Sequence, residues 1–251
     1  MITHLKWKQL FIMISLLALN YELNASLVKK TKYKTKFNNC PSQSAGKFAM
    51  KVLKKFDETN SLYDVKSEIQ GSFLQGKYFI KDYAISYEPV AKSIHISLTC
   101  PRPLLRVVLM DNEASQELQS ILVDDGELYD PTYETLLLGE KKIKNQLPTL
   151  AIHKENLNKE TRLDVVSILE NLGVNYHSKI SEVIFDNERS VTMILSLNKY
   201  PVSVFFGSGE LSMKSEKLKR LLRYVEKNNK QPKVINLVNL KKVVVKFAHK
   251  K

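Results

Sequence analysis

Two lysines, Lys6 and Lys8, precede an apolar run over residues 10–19, LFIMISLLAL. A positive flank before a short apolar core is the mark of an export signal. A membrane-spanning helix needs about 20 apolar residues. This run reaches that length only by drawing in Leu5, Trp7 and the stretch to Leu23. Ala25 offers a cleavage point, with Leu23 an imperfect residue two positions before it. A cleaved signal and an uncleaved anchor therefore both fit residues 1–26, and both send the rest of the chain outward. A core helix is disfavoured, because a buried helix seldom opens a chain behind such charges. Lys29, Lys30, Lys32, Lys34 and Lys36 come next. The positive-inside rule prefers such a cluster on the cytoplasmic side, which favours cleavage. Residues 27–40 read as a solvated basic stalk, with contact to anionic headgroups as the alternative.

Beyond the stalk the periodicity changes twice. After Pro41, Phe48, Val52, Leu53 and Phe56 share a helical face, with Ser44 as the expected cap. A second helix is expected from Ser61 to about Phe73, ended by Gly71 and Gly76. Residues 78–87 then read as a strand, Glu88 and Pro89 as a turn, and Ile94, Ile96 and Leu98 as one face of a second strand. His95 falls on the opposite, polar face and reads as an exposed strand residue. Pro101-Arg102-Pro103 marks a joint. The remainder predicts strands at 104–109, 120–123, 180–185, 191–197, 202–206, 234–237 and 242–247. Asp124-Asp125-Gly126 predicts a hairpin turn. A helix is expected from Thr161, stopped by Gly173, and another from Ser212, with Leu218, Leu221, Leu222 and Val225 inward. The fold class is α+β: a signal or anchor helix, a small α+β unit over 41–103, and a mainly antiparallel β domain with flanking helices over 104–251.

Chemistry is sparse in this sequence. Five histidines are scattered, none at metal-ligand spacing with another histidine or a cysteine. No nucleophile elbow, phosphate loop or HExxH pattern occurs. Gly207-Ser208-Gly209 reads as a turn before a helix. Asp124 and Asp125 are adjacent, so on a strand they would point to opposite faces, a poor geometry for paired acid and base. The expectation is no enzyme, no cofactor, no metal and no small-molecule substrate; a secreted hydrolase is the weakest reading. The net charge of +13 favours acidic partners without choosing among them. Aromatic residues are not interleaved with the basic ones as base stacking requires, so nucleic acid is not an expected partner. Cys40 and Cys100 fit neither CxxC nor zinc spacing. They are either one disulfide of an exported protein or two buried thiols. The last strand is strongly β-forming and is expected at a sheet edge, where a partner can add a strand. Lys242 and Lys246 there read equally as gatekeepers against random pairing.

Taken in order, these segments resemble the FtsQ (DivIB) family of bacterial cell-division proteins. Residues 78–107, YFIKDYAISYEPVAKSIHISLTCPRPLLRV, resemble the end of its POTRA domain and the joint after it. Residues 122–129, LVDDGELY, resemble its "v-D-x-x-G-x-x-y/f" hairpin, and Leu147-Pro148-Thr149-Leu150 its "LPxL". Residues 202–207 with 217–221 resemble its "v-x-l-G…K-x-x-R-l" strand and helix, and residues 235–247 its closing pair of strands. The order and spacing over some 170 residues carry the likeness, most strongly after residue 100. Asn236 stands where the family usually has Asp, and Val238 or Asn239 where Arg is common. The family's first POTRA strand has no evident counterpart, the lysine-rich stretch and Cys40 standing in its place.

The resemblance implies a scaffold of the divisome at the septum. It would sit in the inner membrane as a single-pass protein with its bulk in the periplasm, or as a soluble periplasmic protein after cleavage. The resemblance further implies recruitment of FtsB- and FtsL-type partners, with the last strand receiving a strand from FtsB. Carried to this chain, the partner-binding residues are Val243, Val244, Val245, Lys246 and Phe247, with Arg220 and Arg223 on the adjacent helix. Val244 and Lys246 are the expected side-chain contacts, since Val243, Val245 and Phe247 alternate onto the expected core face. The competing expectation is an envelope-assembly or export protein whose POTRA-like module holds unfolded strands.

Overall fold

The computed structural model describes residues 32–70, 78–110 and 117–248. The expected signal or anchor, as well as Phe73, Gly71 and Gly76, lies outside the described residues. No helix among the described residues is long and apolar enough to cross a membrane. The chain is α+β, with one three-stranded and one nine-stranded sheet, both mixed.

The first unit opens with β1 (Lys32–Asn38), then α1 (Ser42–Thr59) and α2 (Leu62–Gln70), then the hairpin β2 (Asp82–Glu88) and β3 (Ser93–Thr99). The sheet order is β1-β3-β2, with β1 parallel to β3 and β2 antiparallel to it. The lysine-rich stretch is thus not a stalk from Lys32 onward. Lys32, Lys34 and Lys36 alternate with Tyr33, Thr35 and Phe37, and period-2 alternation lets one face carry charge while Phe37 packs on the core. In α1, Ala45, Phe48, Ala49, Val52, Leu53 and Phe56 form the buried stripe at i, i+3, i+4 and i+7. Ser44 is not its cap: Pro41 holds that place, and the Ser44 hydroxyl donates to the Tyr78 carbonyl. Asn60 ends α1 in a left-handed conformation, its N–H bonding the Phe56 carbonyl. The expected strand from 78 begins only at Asp82, because Tyr78, Phe79 and Ile80 are buried as an irregular plug.

The second sheet is built from β4 (Pro103–Met110), β5 (Glu117–Val123), β6 (Leu128–Tyr129), α3 (Thr132–Gly139), β7 (Thr149–His153), α4 (Lys159–Leu172), α5 (Val174–His177), β8 (Ile180–Phe185), β9 (Val191–Leu197), β10 (Tyr200–Gly207), α6 (Leu211–Lys227), β11 (Pro232–Asn236) and β12 (Val244–Phe247). Its order is β12-β11-β10-β9-β8-β7-β4-β5-β6. Three of its eight pairings, β4 with β7, β7 with β8 and β10 with β11, are parallel. Helical crossovers explain the last two, since α4 and α6 carry the chain back across the sheet. The helix α4 starts where Asn158 accepts from the Thr161 N–H at 2.9 Å and ends at Gly173, at φ 82°. Glu210, not Ser212, occupies the cap position of α6. Gly126 has φ 80°, and a Cβ there would lie 2.9 Å from Leu163 Cδ2, so this hairpin turn needs glycine.

Two hydrophobic cores result. The larger lies under α4 and α6, where Leu169, Leu218 and Leu222 meet Val183, Met193 and Val204. Each such buried side chain contributes about 1.5–3 kcal/mol. The smaller core crosses the expected boundary at 103/104. It joins α1 and the first sheet to Ile121, Val123, Tyr129, Tyr133 and Leu147. Phe79 stacks on Tyr133 and meets Tyr129 edge-on, both at 4.8 Å between centroids. Cys40 and Cys100 are joined, with Cα atoms 5.0 Å apart, so β1 and β3 are tied at the joint. The Glu140 carboxylate accepts from the Ser42 N–H at 2.7 and 2.8 Å, holding the start of α1 from the other unit.

Candidate partner-binding edge

At the end of the nine-stranded sheet lies β12, hydrogen-bonded only to β11 within its strand order. Register fixes which of its backbone groups point outward. The Leu237 N–H bonds the Phe205 carbonyl of β10, so alternation turns Ile235 toward β10 and leaves Val234 and Asn236 facing β12. Their partners are Lys246 and Val244. The Ala248 N–H bonds the Gln231 carbonyl, giving the same parity from the other end. Val245 and Phe247 therefore turn their N–H and C=O groups to the open side.

Side chains obey the other axis of the strand. Val243 and Val245 pack against the larger core, and Val244 (45% exposed) and Lys246 face solvent. Phe247, expected on the core face, is instead 42% exposed. The register slips between Pro232 and Val234, and a bulge there twists the strand pair just where Phe247 sits. Lys230 lies over the Phe247 ring at 5.6 Å and over the Tyr224 ring at 4.9 Å, and donates to the Tyr224 hydroxyl at 2.9 Å.

The helix α6 sorts its residues by flank. Leu218, Leu222 and Val225 face the core. Lys217 donates to the Leu240 carbonyl, in the loop before β12. Tyr224 joins that flank through Lys230. Arg220 points away and pairs with Glu216 at 3.7 Å. Arg223 lies near Tyr176, on the flank where Lys219 bonds the Asn171 carbonyl. The structure thus gathers Lys217, Tyr224 and Lys230 beside β12, and does not bring Arg223 there. Sequence reading missed these three; the stripe that places Leu218 inward fixes the core face but not which flank meets β12.

On the Arg223 flank, burial and the bond to Glu226 push the Tyr176 hydroxyl up to about 12. Burial also works against ionised Glu226, but bonds from Lys179 and Tyr176 outweigh it and hold the carboxyl below its usual range. The last stretch of sequence carries charge of one sign. Residues 227–251 contain eight lysines and no Asp or Glu. Lys233, Lys241, Lys242 and Lys246 are exposed. A strand entering here meets open backbone groups under a positive field.

The other polar features serve local structure. Asp125 accepts from the Glu127 N–H at 3.0 Å and Asp124 pairs with Lys81 at 3.3 Å, both at the hairpin turn. His95 contacts Ser93 and Glu88. A cavity of about 690 Å³ lies at the joint, lined by Pro101, Arg102, Leu104, Leu147, Leu169 and His177 among others. Burial, with Arg102 nearby, lowers the His177 pKa. No group of three metal-ligating side chains occurs among the described residues. No protein-family model and no curated protein matches this sequence.

Proposed function

We propose that this chain is a non-enzymatic scaffold of the bacterial division machinery, held at the inner membrane with its bulk in the periplasm, which captures FtsB- and FtsL-type partners by strand addition to β12. The observation that carries the reading is the open side of β12, where Val245 and Phe247 present backbone groups that no described strand pairs with, beside exposed lysines. Supporting it is the order of parts, a β-α-α-β-β unit with sheet order β1-β3-β2 ahead of a sheet that ends on the last strand. The lysine-rich stretch supplies the first strand, for which the sequence pattern offered no evident counterpart.

Depletion in the host tests the reading. Long undivided cells, rescued by the intact gene but not by one truncated before Lys242, support it. Normal cell length with the protein removed overturns it. The envelope-assembly reading is favoured by one observation, that β1 and β2 are both edges of the small sheet and open to strand addition. Under that reading, depletion would disturb outer-membrane proteins and leave division intact.

A further inference from the structure

We infer that the tip of the first sheet, the turn between β2 and β3 together with the start of β1, docks on an anionic lipid surface. Val90, within that turn, is 95% exposed, and Tyr33, the second residue of β1, is 59% exposed. The Lys32 N–H bonds the Lys92 carbonyl at 3.1 Å, which fastens the turn to β1 and brings these two apolar side chains to the same end of the sheet. Lys32, Lys34 and Lys92 are exposed around them. Lys32 and Lys34 lie on one face of β1 and Tyr33 on the other, so charge and aromatic ring flank the tip from opposite sides. Of the acids at this end, Glu88 lies 3.6 Å from His95 and Glu58, near the end of α1, lies 4.0 Å from Lys54.

An exposed apolar tip, an aromatic beside it and a collar of lysines are what an interfacial site needs. The aromatic ring suits the headgroup layer, and the cations suit anionic lipid. The position in the chain selects a membrane over a protein as the occupant. The apolar run ends at Leu19, and Lys32 comes close behind it, at most about 47 Å along an extended chain. The start of β1 is therefore the described part nearest in sequence to the segment read as signal or anchor. Docking at this tip rests on that N-terminal reading and is independent of β12.

The test uses the full chain with Val90→Cys carrying an environment-sensitive dye, Cys40 and Cys100 being already paired. It is mixed with vesicles of phosphatidylglycerol and phosphatidylcholine that carry headgroup-level nitroxide quenchers. Flotation reports the N-terminal run, and quenching reports the tip. The expected result is quenching on the mixed vesicles, lost when Lys32, Lys34 and Lys92 are changed to Glu. A dye at Val238→Cys, in the loop between β11 and β12, is expected to stay unquenched. A chain that floats without quenching at position 90 overturns the docking alone, and a chain that does not float overturns both. Equal quenching in phosphatidylcholine alone, or equal quenching at position 238, also overturns it.

Discussion

Proline substitution along β12 separates capture from folding at adjacent residues. Val245 directs its N–H to the open side, so Val245→Pro removes a group with no partner in the sheet. Proline is tolerated on an edge strand at such a position. The domain should keep its stability to within about 1 kcal/mol, the difference coming from the lost packing of a half-buried valine. An incoming strand loses one hydrogen bond, worth about 0.5–1.5 kcal/mol net. That is about two- to tenfold in affinity, before any clash of the ring with the partner. Val244→Pro does the reverse. Its N–H faces β11, so the variant breaks the ladder that holds β12 and should cost about 1–3 kcal/mol of stability. Thermal unfolding of each variant, with titration of an FtsB-type partner against it, reads both quantities. Wild-type affinity in a folded Val245→Pro variant, or wild-type stability in Val244→Pro, would refute the assignment of outward and inward groups.

Three further outcomes are expected at the joint and the turns. Glu140→Ala should cost about 1–2 kcal/mol, because the carboxylate does the work of a helix cap for α1. Burial opposes its charge, yet the bonds from Ser42 outweigh that and leave the pKa lowered. Its contribution is therefore full above the ordinary glutamate pKa and lost as pH falls through the lower folded value. Melting curves of wild type and Glu140→Gln should converge in acid, and a constant gap would contradict the linkage. Reducing the Cys40–Cys100 bond, which closes a loop over a sequence separation of 60, should lower stability by about 2–4 kcal/mol, read by denaturant unfolding with and without reductant. Gly126→Ala should cost about 1–3 kcal/mol from its positive φ and the meeting with Leu163, and an unchanged unfolding midpoint would count against that turn geometry.

What was legible in the sequence was whatever periodicity alone decides. Ile94, Ile96 and Leu98 alternate, and so do Val191, Met193 and Leu195, and these strands stand where the alternation put them. The stripe of α6 was equally plain. β1 had the same alternation in Tyr33, Thr35 and Phe37, but its lysines outweighed it, since hydropathy counts charge without asking which face bears it. α3 had no usable signal. It is a short run, TYETLLLG, whose buried face holds Glu134, bonded to the Leu147 N–H at 2.8 Å and 3.7 Å from Arg106 Nε. A buried acid looks exposed until its partners are known. β12 stands at the sheet edge as expected, but the parity of its backbone was not legible. That depends on β11 lying parallel to β10, a long-range fact that local pattern does not contain.

The seam between the two units bears on how such an edge would be held. Residues after Pro103 complete the smaller core: Phe79 needs Tyr129 and Tyr133 to cover it, and Leu147 closes the same cluster. Lys142 donates to the Cys40 carbonyl as Glu140 holds the start of α1, so one short loop grips the disulfide and the helix together. A hinge at the Pro101-Arg102-Pro103 joint would have to open this core and strip an ion-paired loop from α1. A few proline-bounded residues do not make a free linker when the surfaces on either side are buried against each other. The fold thus favours a fixed relation between the first sheet and the second. If the tip at Val90 rests on lipid and β12 receives a partner strand, the distance between the two is set by the fold, without a flexible tether.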